Sequence, residues 1–331
     1  MVKVDRAPQR HLLKPLGGYL GLELRDGEEY HTNAIRVNTG ANAFKTILLT
    51  GKYQKIYLPI YNCDSVLQPL KELQIPYQFY PVDHHLDPVF EIGSLREGEG
   101  FLSVNYFGLK DDSIAALRKQ TSNLIVDNAQ SFFSKPIQDT DTFYSTRKFF
   151  GVPDGAYLYL KTKVKLALEI DHSYHRAEHL LRRIDVSAED GFAFYRQNEQ
   201  HLSSQPLRTM SGLTRALLKN IDYEHIRRVR VDNFGYYERA LKNHNLLKMP
   251  WNGTQVPLIY PFLTEDVHLY DRLLDENIYT ARYWPGVREL AEPGSWEHQL
   301  ARMLIALPVD QRLSQEDIER ILKIILKSHR R

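Results

Sequence analysis

Residues 124–130 read LIVDNAQ, and they contain both a core strand and the place where it ends. Leu124, Ile125 and Val126 predict a buried strand, because they are consecutive apolar residues and two are β-branched. The strand runs directly into Asp127, with no glycine or proline to turn the chain outward. A carboxylate left alone inside a protein costs several kcal/mol, whereas a whole domain is stable by only about 5–15 kcal/mol. Asp127 must therefore reach solvent or meet a specific cation.

Other strands of the same kind flank this one. Between residue 34 and about 165, seven short β-like runs are AIRVN, KIYLPI, PYQFYPV, GFLSVNY, NLIVDN, DTFYS and AYLYLK. Helical periodicity lies between them at 41–50, 64–73 and 112–120. Strands and helices in strict rotation predict an α/β lobe with a mostly parallel seven-stranded sheet flanked by helices.

The second half of the chain has a different pattern. Residues from about 165 to 245 are helical and charged, and VPLIYPFLT and RMLIALPVD predict two further strands. The last helix opens on a capping-box pattern at Ser314 and Asp317. We predict an N-terminal arm and large α/β domain over 1–212, and a connector helix and smaller C-terminal α+β domain over 213–331. Within the arm, GLELRDGEEYH predicts a hairpin around Asp26–Gly27.

Composition narrows the class of protein. The chain has 331 residues, of which 43% are hydrophobic and 25% charged, and its net charge is only +2. Such a balance gives no strong positive field, so nucleic acid is not an expected partner. The single cysteine, Cys63, allows no internal disulfide and fits a reducing compartment. No apolar stretch approaches the roughly 20 residues that span a bilayer, and the N-terminus lacks an apolar signal region. We expect a cytoplasmic protein that contacts no membrane.

Two polar stretches follow predicted strands at the edge where ligands of parallel sheets bind. In NTGANAF, residues 38–44, Asn38 or Thr39 can cap a helix whose first N–H groups would face a phosphate, although most such turns are plain helix starts. Lys148 lies in a polar turn after DTFYS, and Asp127 ends the neighbouring strand. These two residues form either a catalytic pair or a simple salt bridge. His84–His85 lacks supporting ligand spacing, so no metal is expected.

In this order the pieces resemble the nucleotide-sugar aminotransferases of the DegT type, which are aspartate-aminotransferase-like, fold-type-I enzymes that use pyridoxal phosphate. NTGANAF is similar to the family's Ser/Thr-Gly-Thr-x-Ala turn, and VNYFGL to its His-x-Tyr-Gly stretch. VDNAQ is similar to Glu-Asp-x-Ala-Gln/His, STRKFFGVPDGAYLYL to the lysine loop, and RMLIALPVDQRLSQEDIERI to the closing strand and helix. The resemblance covers most of the chain.

The resemblance implies that the large domain binds pyridoxal 5'-phosphate, an electron sink for a carbanion at the substrate carbon. Asp127 would keep the ring nitrogen protonated, and Lys148 would hold the cofactor covalently and then act as general base and acid. The other implied cofactor contacts are Gly40, Ala41, Asn42, Cys63, Ala129, Gln130 and Ser145. The implied substrate contacts are Asn105, Tyr106, Arg282 and Tyr283. The alternative for Arg282 and Tyr283 is that they are an exposed strand-end arginine and a half-buried tyrosine, and that neither binds substrate.

The resemblance also implies transfer of an amino group, with glutamate as the expected donor, to a keto sugar carried on a nucleotide. The expected role is in polysaccharide biosynthesis, and the expected assembly is a homodimer with shared active sites. Three positions depart from the family: Ala41 replaces a phosphate-contacting threonine, Cys63 replaces an aromatic or histidine that stacks on the ring, and PLRTMSG lacks the Asn-x-Arg that crosses the dimer. One alternative is a sugar dehydratase with the same cofactor, but those enzymes have histidine in place of Lys148. The other is a non-catalytic sugar-nucleotide-binding or regulatory protein of the same fold.

Overall fold

The computed structural model describes residues 16–328, so the first 15 residues of the predicted arm lie outside the described residues. A seven-stranded sheet has the order β1-β7-β6-β5-β4-β2-β3. Its strands are β1 (Ile35–Val37), β2 (Lys55–Pro59), β3 (Tyr77–Tyr80), β4 (Glu99–Val104), β5 (Leu124–Asn128), β6 (Asp141–Ser145) and β7 (Ala156–Tyr159). The five strands from β3 to β6 run parallel, and β7 is antiparallel to both β6 and β1. The predicted sheet is confirmed.

Helices cover both faces of this sheet, which is why its central strands β4, β5 and β6 are almost wholly buried. The helices between strands are α1 (Gly40–Gly51), α2 (Leu67–Glu72) and α3 (Asp111–Gln120). All five residues of β5 are buried. Leu124 and Val126 belong to one core cluster, whereas Ile125 belongs to the other, with Phe44 and Phe143. Alternate side chains of one strand thus fill the cores on opposite faces.

Helices dominate the chain after the sheet. They are α4 (Glu178–Asp185), α5 (Ala188–Ser203), α6 (Gly212–Lys219), α7 (Tyr223–Leu241), α8 (Leu269–Asp275), α9 (Val287–Leu290), α10 (Trp296–Met303) and α11 (Gln315–Ser328). Both predicted C-terminal strands are present, as an antiparallel pair of β8 (Ile259–Leu263) and β9 (Leu304–Pro308). The predicted capping box is confirmed, since the Asp317 N–H donates to the Ser314 hydroxyl at 3.2 Å and the Ser314 N–H donates to the Asp317 carboxylate at 2.8 Å. Within residues 16–328, no helix combines the length and apolarity needed for a bilayer span.

The predicted hairpin around Asp26–Gly27 is wrong. Described residues 16–34 contain no strand. Residues 25–27 instead pack against the C-terminal end of α6. The Arg25 N–H donates to the Asn220 side chain at 3.0 Å, and Lys219 pairs with Asp26 at 2.8 Å. A Cβ on Gly27 would lie 2.5 Å from the Lys219 carbonyl oxygen, so glycine serves a close backbone approach here. An Asp-Gly pair makes a hairpin only where two flanking strands can pair.

Candidate active site

The candidate site lies at one edge of the large sheet. Because β1 is antiparallel to β7, and β7 to β6, β1 points in the same direction as the parallel strands. The carboxyl ends of β1, β4, β5 and β6 therefore meet at one edge, where β7 begins. This geometry brings the turn after β1, the end of β5 and the loop after β6 to the same side of the sheet.

Asp127 does not reach solvent. Only 5% of the residue is exposed, and its Oδ1 accepts a 2.8 Å hydrogen bond from the Ala129 N–H. Burial raises the pKa of the Asp127 carboxyl to about 6, while the Ala129 N–H and the positive charge of Lys148 act in the opposite direction. A cation placed against this carboxylate would favour its charged form. Asp127 is thus a buried acid with capacity for a positively charged partner.

Gln130 has a buried side-chain donor that no acceptor in the described part of the chain meets. The residue is 2% exposed, and its Oε1 accepts the Phe107 N–H at 3.1 Å. Its buried Nε2 meets no acceptor among residues 16–328. Leaving such a group unsatisfied costs about 1–3 kcal/mol, so the site fits a ligand that presents an oxygen to this amide.

The turn after β1 is capped by Thr39, one of the two predicted caps. The Thr39 hydroxyl accepts the Asn42 N–H at 3.0 Å, so this amide is already used. The Asn42 side chain is used as well, because it donates to the Asn38 side chain at 2.9 Å. Within the described chain, the N–H groups of Gly40 and Ala41 remain for a ligand. A Cβ on Gly40 would find no atom within 4 Å, so the turn borders open space.

The loop between β6 and β7 is held against this turn. The Gly155 N–H donates to the Asn38 carbonyl oxygen at 2.7 Å. The Thr146 hydroxyl lies 3.0 and 2.8 Å from the carbonyl oxygens of Asp154 and Gly155. Ser145, the half-buried last residue of β6, lies just before the loop. The two ends of the loop are therefore tied together, and the loop as a whole is tied to the first turn.

Lys148 lies in this loop and is exposed. Its Nζ lies 5.7 Å from the centre of the Tyr283 ring, so the C-terminal part of the chain reaches the lysine. Lys148 also lines a cavity of about 540 Å³, which the loop shares with α4, α5 and the turn at Asp310–Arg312. The lysine amine is thus accessible from a cavity large enough for an organic ligand.

Asp154 is a structural anchor that the sequence alone does not reveal. It is fully buried and accepts hydrogen bonds from the Ser211 N–H at 3.0 Å, the Ser211 hydroxyl at 2.8 Å and the Thr214 hydroxyl. Arg176 lies 3.8 Å away. Burial raises the pKa of the Asp154 carboxyl, and these donors act against that shift. The sequence offered only a turn signal at Asp154–Gly155, because the partners come from distant helices.

Cys63 lies beside an aromatic contact between the two ends of the chain. It is half-buried, and its Sγ accepts from the Ser65 hydroxyl at 3.1 Å. The neighbouring Tyr61 is fully buried and packs edge-on against Trp284, with ring centres 4.6 Å apart. The β2–α2 connection therefore carries a half-buried thiol and contacts the C-terminal part of the chain.

The four predicted substrate contacts differ in burial and in what their side chains contact. Asn105 is buried and donates to the side chains of Asp111 and Asn128, at 2.7 and 3.0 Å. The buried Tyr106 hydroxyl donates to the Tyr61 carbonyl oxygen at 2.7 Å.

Arg282 is exposed, and its guanidinium stacks 3.9 Å from the centre of the Tyr270 ring. Tyr283 alone of the four is brought to Lys148. The polar groups of the buried pair serve the protein's own structure, and Arg282 packs on another ring.

Comparison with known proteins gives structural matches only. No protein-family model and no curated protein matches the sequence. A DegT/DnrJ/EryC1/StrS aminotransferase from Brucella abortus is 18% identical, with a TM-score of 0.60, over 89% of this chain and 86% of that chain. The sugar aminotransferase CalS13 from Micromonospora echinospora is 15% identical, with a TM-score of 0.64, over 89% and 87%.

The ntda protein from Bacillus subtilis, solved with bound PMP, is 12% identical, with a TM-score of 0.64, over 90% of this chain and 73% of that chain. At these identities the likeness shows a shared fold. The predicted fold class, a fold-type-I α/β lobe with a mostly parallel seven-stranded sheet flanked by helices, is confirmed, and a small antiparallel sheet is also present.

Proposed function

We propose that this chain is a pyridoxal-phosphate-dependent aminotransferase of the DegT type, which moves an amino group from glutamate to a nucleotide-linked keto sugar. One observation carries the proposal: Asp127 is a buried carboxylate at a strand end, within electrostatic reach of the accessible Lys148. The unsatisfied amide of Gln130 at the same sheet edge supports it. The shared fold supports it too, because two of the solved structures with this fold are named as aminotransferases.

Pyridoxal phosphate, when bound, supplies an electron sink that stabilises a carbanion at the reacting carbon. Asp127 would face the ring nitrogen and keep it protonated, since a neighbouring carboxylate favours the cation. Ala129, whose N–H orients Asp127, would lie against the ring face, and Gln130 would donate its free amide to the ring's phenolic oxygen. Lys148 would hold the cofactor covalently and then move the proton between the two carbons.

The phosphate end would lie at the turn after β1. The N–H groups of Gly40 and Ala41 are the donors that this turn offers, with Ser145 nearby at the end of β6. Asn42 would help to bind the phosphate only as part of the helix start, because its backbone N–H already donates to the Thr39 hydroxyl. Cys63 would lie at the ring's other side, in place of a stacking residue.

We extend the proposal to a cytoplasmic homodimer whose copies share their sites, with domains over 1–212 and 213–331. The N-terminal segment supports a second copy as a partner. Four large apolar residues there are almost fully exposed in a single chain: Leu16 at 91%, Tyr19 at 98%, Leu20 at 86% and Leu22 at 76%. An apolar stretch of this kind marks a surface that another chain covers.

The second candidate is a non-catalytic sugar-nucleotide-binding protein of the same fold. Ala41 favours it, because alanine removes a hydroxyl from the turn that would hold the phosphate. Cys63 favours it as well, since a thiol offers less stacking surface to a ring than an aromatic side chain.

Spectroscopy with pyridoxal phosphate separates the two candidates. We expect the purified protein to show a visible absorption band that borohydride abolishes, and Lys148→Ala to lose the band. Lys135→Ala is the matched control, because Lys135 is an exposed lysine outside the loop. A colourless protein that cannot be reconstituted with the cofactor would overturn the aminotransferase proposal. For the donor, addition of glutamate should change the band of the wild-type protein within one turnover.

A further inference from the structure

The Lys148 side chain takes its direction from the backbone turn that carries it. The Thr146 carbonyl oxygen closes this turn, because it accepts the N–H groups of Phe149 and Phe150 at 3.2 and 3.0 Å. Within residues 16–328, the Lys148 amine forms neither a hydrogen bond nor an ion pair. Such an amine is held in a productive geometry only by the residues that hold its backbone.

Phe149, the residue after Lys148, is the point where the turn enters the core. Only 3% of Phe149 is exposed, and its ring lies edge-on against the Phe133 ring, with ring centres 5.8 Å apart. Lys148 itself is exposed. The contacts of Phe149 therefore fix the position of the turn.

Arg230, in α7, contacts the Phe149 ring. Its guanidinium lies over this ring, 4.6 Å from the ring centre. Arg230 is only 2% exposed, and its Nη1 donates to the carbonyl oxygens of Pro257 and Leu258 at 3.2 and 3.0 Å. Its buried Nε meets no acceptor among residues 16–328. The guanidinium is thus held by the backbone before β8, and its cation–π contact holds Phe149 in turn.

Gln311 holds the same phenylalanine from a second element. Its Nε2 donates to the Phe149 carbonyl oxygen at 3.2 Å. Gln311 follows β9, so it and Arg230 reach Phe149 from two different segments of the C-terminal part of the chain. One contact is to the ring and the other to the backbone, so any shift of Phe149 loses at least one of them.

Arg230 also acts on the tyrosine that faces the lysine amine. The centre of the Tyr283 ring lies 5.7 Å from the Lys148 Nζ. Burial raises the pKa of the Tyr283 hydroxyl, while the positive charge of Arg230 acts in the opposite direction. The same buried arginine therefore lies beside the residue after Lys148 and near the ring that the amine faces.

We propose that Arg230 and Gln311 are positioning residues for Lys148, which hold Phe149 and thereby hold the lysine amine where it reacts. The inference rests on the proposed function for the reaction of the amine, but not for the contacts to Phe149. Loss of these contacts would leave the other cofactor-binding groups in place and would displace the amine. Displacement of a reacting group by about 1 Å can slow a step by about 100-fold.

Hydrogen–deuterium exchange of the full-length protein without added cofactor tests the contacts themselves. We expect the amides of residues 146–150 to exchange about fivefold to tenfold faster in Gln311→Met and more than tenfold faster in Arg230→Met. Gln311 is half-buried, so its variant keeps the fold even where Arg230→Met does not. Gln299→Met is the matched control, because the exposed Gln299 donates its amide to the Gly294 carbonyl oxygen at 3.0 Å, away from this turn.

The rate of covalent attachment separates positioning from a purely structural role. Stopped-flow absorbance follows the borohydride-sensitive band after a saturating amount of pyridoxal phosphate is added. We expect attachment to slow about fivefold to tenfold in Gln311→Met and more than tenfold in Arg230→Met. Arg230→Lys should stay within about threefold of the wild type, because it keeps a cation near the ring. In a Lys148→Ala background, equilibrium dialysis should show that Gln311→Met leaves the affinity for the cofactor unchanged.

Three results would overturn the inference. They are unchanged exchange of residues 146–150 in Gln311→Met, an unchanged attachment rate in that variant, and a loss of cofactor affinity in the Lys148→Ala background as large as the loss in attachment rate. The last would show that the two residues serve the fold and not the lysine. If the wild type forms no band, the aminotransferase proposal fails, while faster exchange in the variants would still support the role of Arg230 and Gln311 in holding the turn.

Discussion

The backbone N–H of Gly155 donates a 2.7 Å hydrogen bond to the carbonyl oxygen of Asn38. Asn38 follows β1 and opens the turn that offers amides to a phosphate, whereas Gly155 closes the loop that carries Lys148. This contact extends the β1–β7 pairing and helps to hold together two candidate cofactor-binding segments that are far apart in the sequence. Gly155 makes the contact at φ +110°, a conformation that residues with a Cβ rarely adopt.

Gly155→Ala should destabilise the protein by about 1–3 kcal/mol, since strain at this φ adds to the clash of a new methyl group. A Cβ there would lie 2.8 Å from the Thr146 hydroxyl and 3.0 Å from the Thr214 methyl group. Urea denaturation measures the loss. Gly212→Ala is the control, because a Cβ on Gly212 meets no atom within 4 Å. Equal stability of the two variants would contradict the role given to Gly155.

Asp154→Asn should cost about 3–5 kcal/mol, because removal of one partner from a buried charged network leaves the other groups uncompensated. The groups affected are the hydroxyls of Ser211 and Thr214 and the guanidinium of Arg176. The free energy of unfolding of this variant should be compared with that of Asp185→Asn, which changes an exposed aspartate. A loss below about 1 kcal/mol would show that the network does not anchor the loop.

Asp127→Asn should stabilise the cofactor-free protein at pH 7.5. The folded pKa is raised to about 6 from an ordinary value near 4, so the folded state binds the proton more tightly than the unfolded state. Wild-type stability from this group therefore falls as pH rises from about 4 to 6 and levels off above that range, by about 2–3 kcal/mol in total. The variant lacks this titration.

Urea denaturation of both proteins at pH 4.5 and pH 7.5 measures this effect. The difference between Asp127→Asn and wild type should be largest at pH 7.5 and should shrink at pH 4.5. With pyridoxal phosphate bound, the sign should reverse, because the carboxylate then faces a cation. A variant that is less stable than the wild type at both pH values without cofactor would refute the assignment.

Gln130→Met should lower the affinity for pyridoxal phosphate about tenfold, because it removes the amide proposed to meet the cofactor's oxygen. It should also cost about 1–3 kcal/mol of stability, since the buried Phe107 N–H loses its acceptor. Cofactor titration followed by absorbance reports the first effect and denaturation without cofactor the second. If stability falls while cofactor affinity is unchanged, Gln130 serves only to hold Phe107.

The elements that the sequence predicted well share a local cause. All seven strands and the capping box at Ser314 and Asp317 follow from periodicity and from contacts within one turn of chain. The hairpin at Asp26–Gly27 failed because its partner is the end of α6, nearly 200 residues away.

Among the candidate site residues, the sequence named Asp127 and Lys148 as the acid and the lysine of the proposed site, but it did not predict which groups surround them. The Asn105 side chain donates to Asp111 and Asn128, whereas the Tyr283 ring lies near Lys148. Both contacts depend on side-chain directions that no motif encodes. Asp154 and Arg230 look like ordinary surface charges in the sequence, yet both are buried.

The amino-acid sequence by itself determined where the strands lie along the chain and which of their residues become core. It also determined which polar residue ends each strand. These features depend on neighbours only a few positions away. Only the tertiary structure decided which polar groups are satisfied by the protein and which are left for a ligand. Gln130 and Arg230 show why: within residues 16–328, neither the Gln130 Nε2 nor the Arg230 Nε meets an acceptor, and this depends on where distant helices and loops lie.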